Sequence, residues 1–418
     1  MKNRSICFLI GTLFISSIFL QNVFAQLNID PNLEKNEVYQ SYLDFFEEIY
    51  LTMDQKYYYP IRRNDFDRFL KKFDSEIYTK IDDRKNFDDF ISMRSGALLV
   101  DFLKTKEDIF SALFPPQAVD DFKDEVLGRK SDLGIEGELT EQGYRVTFIE
   151  PRSDAFLKGL RVNDVLISID GKKVLRLTVD KIIERLTPEI SKRVKIRYFD
   201  TQNHKKTIVV VSKEYFKQTV FPVATYLPNV YCLLIERFNR KTSEDLSRYL
   251  FMINQQGSTG LILDLRGNPG GPPLAAREIL SFFLEPSPEF VYFLRKDDHR
   301  NTLDVPEIPL PYRYSGPIAI LVDEKSGSAS ELFSGVMQKQ NRAVLLGKRT
   351  AGQVFLKSMF NLDNDSMLVL VTARGYFPNG EAFDFDGLMP QVLVDNKGVD
   401  LLYFAAGFLQ ANLSKNIF

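Results

Sequence analysis

Histidine and cysteine are scarce in this 418-residue chain, with two of each. Cys7 and Cys232 are too few for a disulfide framework. His204 and His299 leave few ways to build a histidine-based metal site or a histidine-centred triad. An excess of one charge is also lacking. Lys plus Arg total 54 against 56 for Asp plus Glu, a formal net charge of −2, which gives no electrostatic reason to expect a nucleic-acid partner. No Gly-x-Gly-x-x-Gly fingerprint and no phosphate-loop Gly-Lys-Ser or Gly-Lys-Thr occurs, so neither nucleotide-binding motif is available. Beyond the first 25 residues no run is long and apolar enough to span a bilayer. What remains is an ordinary globular composition, 44% hydrophobic and 26% charged, at a length that suits two or three domains.

Lys2 and Arg4 precede an apolar run from Ile6 to Leu20, and Val23-Phe24-Ala25 has the small-x-small form of a signal-peptidase site. Residues 1–25 therefore read as a signal peptide, and the mature chain as exported to a periplasmic or extracellular space without stable membrane insertion. The alternative, an uncleaved anchor, is opposed by a run shorter than the ~20 residues a span needs. Cys232 is then the only thiol, which suits an oxidising compartment if it is buried in a strand.

Residues 26–127 read as a helical domain: Tyr42, Phe45, Phe46, Ile49 and Tyr50 recur at three-to-four spacing, as do Phe66, Phe69, Leu70 and Phe73. Its aromatic load, including Tyr57-Tyr58-Tyr59-Pro60, reads as core and turn packing rather than a ligand box. From 128 to 214 the period changes to short strands at Leu133–Ile135, Tyr144–Ile149, Asp164–Ile169, Val194–Phe199 and Thr207–Val211, with an amphipathic helix from Thr178 to Leu186. From 215 to 418 strands and helices alternate, as in a β/α layered domain. A proline-rich excursion from Glu285 to Pro317 reads as a surface loop or flap. The whole is a multidomain α+β chain.

Two strand-to-helix junctions stand out in the last domain. Asp264-Leu265-Arg266-Gly267-Asn268-Pro269-Gly270-Gly271 follows an apolar strand and leads into a helix, and its glycines permit close approach of a ligand to backbone amides. Asp323-Glu324-Lys325-Ser326-Gly327-Ser328-Ala329-Ser330-Glu331 is again strand, small-residue turn and helix. A serine there sits where helix-end amides favour negative charge, which helps a nucleophilic alkoxide. The plainer reading is a helix cap, with Ser330 as capping residue.

Ser153 to Leu166 followed by Ile169-Asp170-Gly171 resembles a PDZ domain spanning 128–214. With the two junctions, Ser-x-Ser-Ala-Ser-Glu at 326–331, Gly347-Lys348-Arg349-Thr350-Ala351-Gly352 and the turns at Pro378-Asn379-Gly380 and Gly387-Leu388-Met389-Pro390, the chain resembles the C-terminal-processing, or tail-specific, serine peptidases. The resemblance implies a peptidase core of the crotonase-like, ClpP-like type and polypeptide substrates. No metal or organic cofactor is implied.

By that resemblance Ser328 is the nucleophile, and the amides of Ala329 and of Gly270 or Gly271 hold the oxyanion. Leu133, Gly134 and Ile135 would supply the carboxylate-holding loop of the PDZ domain, and Val179, Ile182 and Ile183 a pocket wall, although these apolar positions also serve as core. The family's base is a lysine with a pKa lowered by burial. At its position this sequence has Gln353, whose amide is no general base near neutral pH. Lys357 stands four residues on, where the family tends to carry an orienting glutamine. If the stretch is a strand, 353 and 357 share a face with Cα atoms ~13 Å apart. Lys357 is thus either a relocated base or a solvated lysine. Lys348 and Lys325 read as solvated, and His299 as a minor candidate base. Two functions follow. One is an exported serine endopeptidase that captures C-terminal ends; the other is a non-catalytic, peptide-binding relative.

Overall fold

The computed structural model describes residues 37–77, 95–96, 99–216, 218–383, 386–395 and 398–413. The expected signal peptide lies outside them. The described residues form two compact units that interleave along the chain. The first takes those within 1–120, 291–302 and 355–382, and the second those within 121–290, 303–354 and 383–418.

In the first unit, helices Glu37–Lys56 and Arg63–Ile77 turn the three-to-four stripe of Tyr42, Phe45, Phe46 and Ile49 and of Phe66, Phe69 and Leu70 inward, with Tyr50 partly buried and the side chain of Phe73 outside those described. Tyr42, Phe45, Phe46, Ile49 and Met53 meet Phe66, Phe69, Leu70 and Phe102 in one core. Phe46 has ring centroids of Tyr42, Phe45, Phe66 and Phe69 within 4.9–6.4 Å, so these aromatics pack as core, in edge-on and tilted geometries that favour their quadrupoles. Beside them Phe355–Asn361 pairs antiparallel with Met367–Tyr376, which also pairs with Ala112–Phe114. On the far end of the same strand Tyr292–Arg295 pairs with Ala373–Tyr376.

The excursion from Glu285 to Pro317 is not the loop that its prolines suggested. It contains strands Ser287–Arg295 and Arg300–Val305, with Phe290, Val291, Tyr292 and Phe293 all buried. Aromatic and β-branched side chains in that run favour a pleated, buried surface. Pro288 stands at the second position of the first strand, ahead of the buried run, and Pro306, Pro309 and Pro311 follow the second strand.

In the second unit, Ile135–Thr140, Gly143–Ile149, Val165–Ile169, Arg193–Phe199 and Lys205–Val211 make an antiparallel sheet in that spatial order. It shares a core with Ile182 and Leu186 of helix Val179–Leu186. Arg129–Asp132 pairs with Lys213–Phe216 and brings the ends of this segment together.

A second sheet runs Val220–Val223, Val230–Ile235, Gly260–Asp264, Ile318–Val322, Val344–Gly347 and Val392–Leu393. Its first pair is antiparallel and the rest are parallel. Every residue of Gly260–Asp264 and Ile318–Val322 is buried, which is why both read as unbroken apolar runs. Ala405, Ala406 and Leu409 of helix Leu401–Leu413 cover Ile262, Ala319 and Leu321. Cys232 lies in this core, where burial pushes its thiol up to about 12 and leaves it unreactive.

Because Phe46 is fully buried among four rings, Phe46→Ala is expected to cost the first unit about 3–5 kcal/mol. Denaturant titration checks this, and a variant with an unchanged midpoint would contradict the packing.

Candidate active site

Gly260–Asp264 and Ile318–Val322 are neighbouring parallel strands, so the loops that follow them leave the same edge of the sheet, where ligands of open parallel sheets bind. Hydrogen bonds stitch the two loops together. Leu265 N–H donates to Leu321 O at 2.9 Å, Gly267 N–H to the Asp323 carboxylate at 2.9 Å and the Ser326 hydroxyl to Leu265 O at 2.8 Å. Asn268, fully buried, is the hub. Its carbonyl accepts from Gly327 N–H at 3.0 Å and from the Ser330 hydroxyl at 3.0 Å, while its amide donates to Ile235 O at 2.7 Å. Ser330 is therefore a helix residue tied to the opposite loop, and the N-cap of helix Ala329–Lys339 is Ser328 instead.

Ser328 is the only residue from Ser326 to Met337 that is not buried. It has φ 53° and ψ −114°, a conformation that costs a non-glycine residue about 1–3 kcal/mol and persists only where the surroundings impose it. Its N–H donates to Glu331 Oε2 at 2.9 Å, a charge-assisted bond of the size needed to offset that strain, about 1.5–3 kcal/mol.

Gly270 is pressed against this turn. A Cβ there would lie 2.6 Å from Gly327 O, 2.8 Å from Ala329 N and 2.8 Å from Ser328 Cβ, and its φ is +101°. A Cβ on Gly271 would lie 1.9 Å from Phe238 O. The two amides are not equivalent. Gly270 N–H donates to Asn268 Oδ1 at 2.8 Å, whereas the amides of Gly271 and Ala329 have no protein acceptor among the described residues. The sequence left Gly270 and Gly271 as alternatives, and of the two only Gly271 keeps an amide without a protein acceptor among the described residues.

Gln353 belongs to the same unit as Ser328. Its N–H donates to Glu331 Oε2 at 2.7 Å, and its side-chain Oε1 lies 3.5 Å from the point where a Cβ on Gly327 would stand. Gln353 thus reaches back to the turn that carries Ser328. Lys357 belongs to the first unit, opposite Val371 and next to a ladder irregularity between Leu356 and Lys357. Its side chain is accessible to solvent, yet the protein crowded around it desolvates the ammonium. That lowers its pKa from the ordinary lysine value, against the opposing field of Asp108. Desolvation disfavours the charged form of a lysine and so bears on its basicity.

The other candidates fare differently. Lys348 pairs with Asp395 at 3.4 Å and Glu324 at 3.7 Å, and these carboxylates raise its pKa, Asp395 foremost, which holds it as a cation. Lys325 is exposed, and His299 sits exposed in the turn after Arg295.

In the 128–214 segment Leu133 N–H donates to Leu186 O at 3.0 Å and Gly134 N–H to the Asp132 carboxylate at 2.6 Å. Two of the three amides expected to hold a ligand carboxylate therefore have partners within the protein. Ile182 is fully buried and belongs to the core, while Val179 and Ile183, 46% and 47% exposed, mark the accessible face of the helix. Ile182 and Ile183 are successive positions, about 100° apart around the helix axis, so one can face the core while the other shares the accessible side with Val179.

Among the described residues no group of three or more His, Cys, Asp or Glu is arranged to hold a metal, and no helix is long and apolar enough to cross a membrane.

Residues 229–394 match peptidase family S41. The chain is 24% identical over 397 residues to a probable CtpA-like serine protease of Staphylococcus aureus (strain COL), covering 93% of this chain and 72% of that one. It is 23% identical over 303 residues to the carboxyl-terminal-processing protease of Synechocystis sp., covering 71% and 70% respectively. The tricorn protease superimposes with a TM-score of 0.53 at 15% identity, over 90% of this chain and 37% of that one, a likeness of fold alone. The resemblance to C-terminal-processing serine peptidases is thereby borne out. Nothing found favours the non-catalytic reading.

The S41 match gives Glu331 no role, and neither did the sequence reading, although the spacing Ser328-x-x-Glu331 is a capping-box signature that points to it. Asn268 had no signal beyond its place in the loop.

Since any side chain at Gly270 displaces Ser328 or the Ala329 amide, Gly270→Ala is expected to slow labelling of Ser328 by a serine-directed fluorophosphonate by about 10²-fold or more. Mass spectrometry of the labelled peptide follows the rate. Labelling at the parental rate would show that the close approach is not needed.

Proposed function

We propose that this S41 protein is an exported serine endopeptidase that engages polypeptides by their C-terminal ends and cleaves them through Ser328. The observation that carries the reading is Ser328 itself: the one residue from Ser326 to Met337 that is not buried, held in a strained conformation next to the Ala329 amide, which has no acceptor among the described residues. Its hydroxyl attacks the scissile carbonyl, and the Ala329 and Gly271 amides receive the developing oxyanion. The proton passes to a neutral amine, a role we assign to Lys357. The tetrahedral intermediate collapses with protonation of the leaving amine, and water then releases the acyl group.

Gln353 takes the orienting role that the family gives to the residue four positions on, so the two functions exchange places along one stretch. In support, Lys357 is held below the ordinary lysine range by desolvation, whereas Gln353 offers only an uncharged amide.

The PDZ reading of residues 128–214 is part of this proposal. Strand Ile135–Thr140 is at the edge of its sheet, as peptide capture by strand addition requires, and Val179 and Ile183 offer apolar contact. Since the Leu133 and Gly134 amides are internally bonded, a bound carboxylate would have to displace those partners.

The test uses purified mature protein and an unfolded substrate ending in apolar residues. Wild type is expected to cleave, Ser328→Ala to abolish cleavage, and Lys357→Ala to reduce it by about 10²–10⁴-fold, the usual contribution of a general base. Full activity in Lys357→Ala would remove that lysine from the mechanism. Absence of wild-type cleavage combined with cleavage by Gln353→Lys would sink the enzyme reading.

The pH profile supplies an independent check. A base must be neutral to accept the proton, so kcat/KM should climb with pH through a lysine pKa below 10.5. The negative charge of Asp108 raises that pKa, so Asp108→Asn lowers it further and the ascending limb should move to lower pH. An unmoved limb would place the titrating group elsewhere.

A further inference from the structure

Glu331 has no solvent-exposed surface, and four donors converge on its two oxygens. Oε2 accepts from Ser328 N–H at 2.9 Å and Gln353 N–H at 2.7 Å. Oε1 accepts from Gly352 N–H and the Thr350 hydroxyl, each at 2.6 Å. One donor belongs to the candidate nucleophile and three belong to the turn that ends at Gln353. Thr350 is itself fixed, since its hydroxyl accepts from Leu388 N–H at 2.7 Å. The backbone adds a bond between the same two segments, Ala351 N–H to Ser326 O at 3.0 Å.

We propose that Glu331 is a positioning residue: its carboxylate locks the Ser328 turn against the Thr350–Gln353 turn and so sets where the Ser328 hydroxyl stands relative to the Gln353 side chain. The proposal rests on the reading of Ser328 as nucleophile only for its catalytic consequence; the coupling of the two turns stands apart from it. An ionised carboxylate is acceptor-only and offers about four lone-pair sites, which matches four donors. A glutamine would turn an NH2 group toward two of those donors. An aspartate keeps the charge but is one methylene short. Burial pushes the Glu331 carboxyl up, and the donors from Thr350, Gln353, Gly352 and Ser328 pull it back toward the ionised form.

The experiment compares the mature wild-type protein with Glu331→Gln and Glu331→Asp in two readouts. The first is residue-resolved amide hydrogen exchange, which needs no activity. Glu331→Gln should speed exchange at Ser328, Gly352 and Gln353 together by about tenfold or more, because one opening exposes all three. The second is turnover of a reporter peptide. Glu331→Gln should lose kcat by about a hundredfold with KM held within about threefold, and Glu331→Asp should recover part of the loss. A general weakening of the fold would not produce that split or that rescue.

Faster exchange at Ser328 alone, with Gly352 and Gln353 unchanged, would overturn the proposal, as would a kcat within about threefold of wild type. If Glu331→Gln does not fold, Glu331→Asp decides by the same paired exchange. If wild type neither turns over nor labels at Ser328, the nucleophile reading fails while the exchange result still judges the coupling.

Discussion

A carboxylate with no exposed surface holds the two candidate loops of this protein in place. Burying an ion costs several kcal/mol even after the surroundings relax. Each charge-assisted hydrogen bond returns about 1.5–3 kcal/mol. One or two donors would leave Glu331 a liability; four make it favourable. The arrangement is therefore close to all-or-none, and the Ser328 turn and the Thr350–Gln353 turn form together or not at all. The strained backbone of Ser328 follows from the same bond, because the Glu331 carboxylate fixes the N–H of a residue that would otherwise relax to a common conformation.

Much of this was legible before any coordinates. Gly260–Asp264 and Ile318–Val322 announce themselves because strands buried on both faces need no polar alternation. The stripe of Tyr42, Phe45, Phe46 and Ile49 needs only helical spacing. The turns after Asp264 and Val322 were visible from their small residues. What escaped is what sequence distance hides. The Glu331 network joins residues 19 to 22 positions apart, and nothing local to Thr350 or Gly352 says that a carboxylate waits there. The strand Ser287–Arg295 was masked by its flanking prolines, which outweighed the apolar run between them. Ile182 was grouped with Val179 and Ile183 because all three are apolar, yet helix geometry sends it to the core.

The proposed exchange of lysine and glutamine between positions 353 and 357 would change the electrostatics more than the composition. A lysine serves as a base only if its surroundings disfavour the ammonium, and two lysines near the candidate loops in sequence illustrate the opposite outcomes. Lys348 is paired by Asp395 and Glu324, so its charge is reinforced. Lys357 lacks such a pair among the described residues, and desolvation outweighs the one opposing charge, Asp108. Asp108 is itself occupied by the Tyr57 hydroxyl at 2.8 Å and by the amides of Phe110 and Ser111. Its field on Lys357 is that of a carboxylate already engaged, enough to temper the shift and too weak to reverse it.

The glycine loop shows how a site can select its donors without adding a side chain. Asn268 ties the loop down through Ile235, Gly270 and Gly327, and Phe238 N–H anchors it again by donating to Gly270 O at 2.9 Å. Every amide spent on anchoring is lost to a ligand. The two left over among the described residues, Gly271 and Ala329, lie on different loops, so an oxyanion hole built from them would depend on both loops keeping register. A site of this kind gains nothing from a stronger donor at either position if the loops drift apart. The register bonds through Asn268 and Glu331 therefore matter to the candidate chemistry as much as the amides that would touch the substrate.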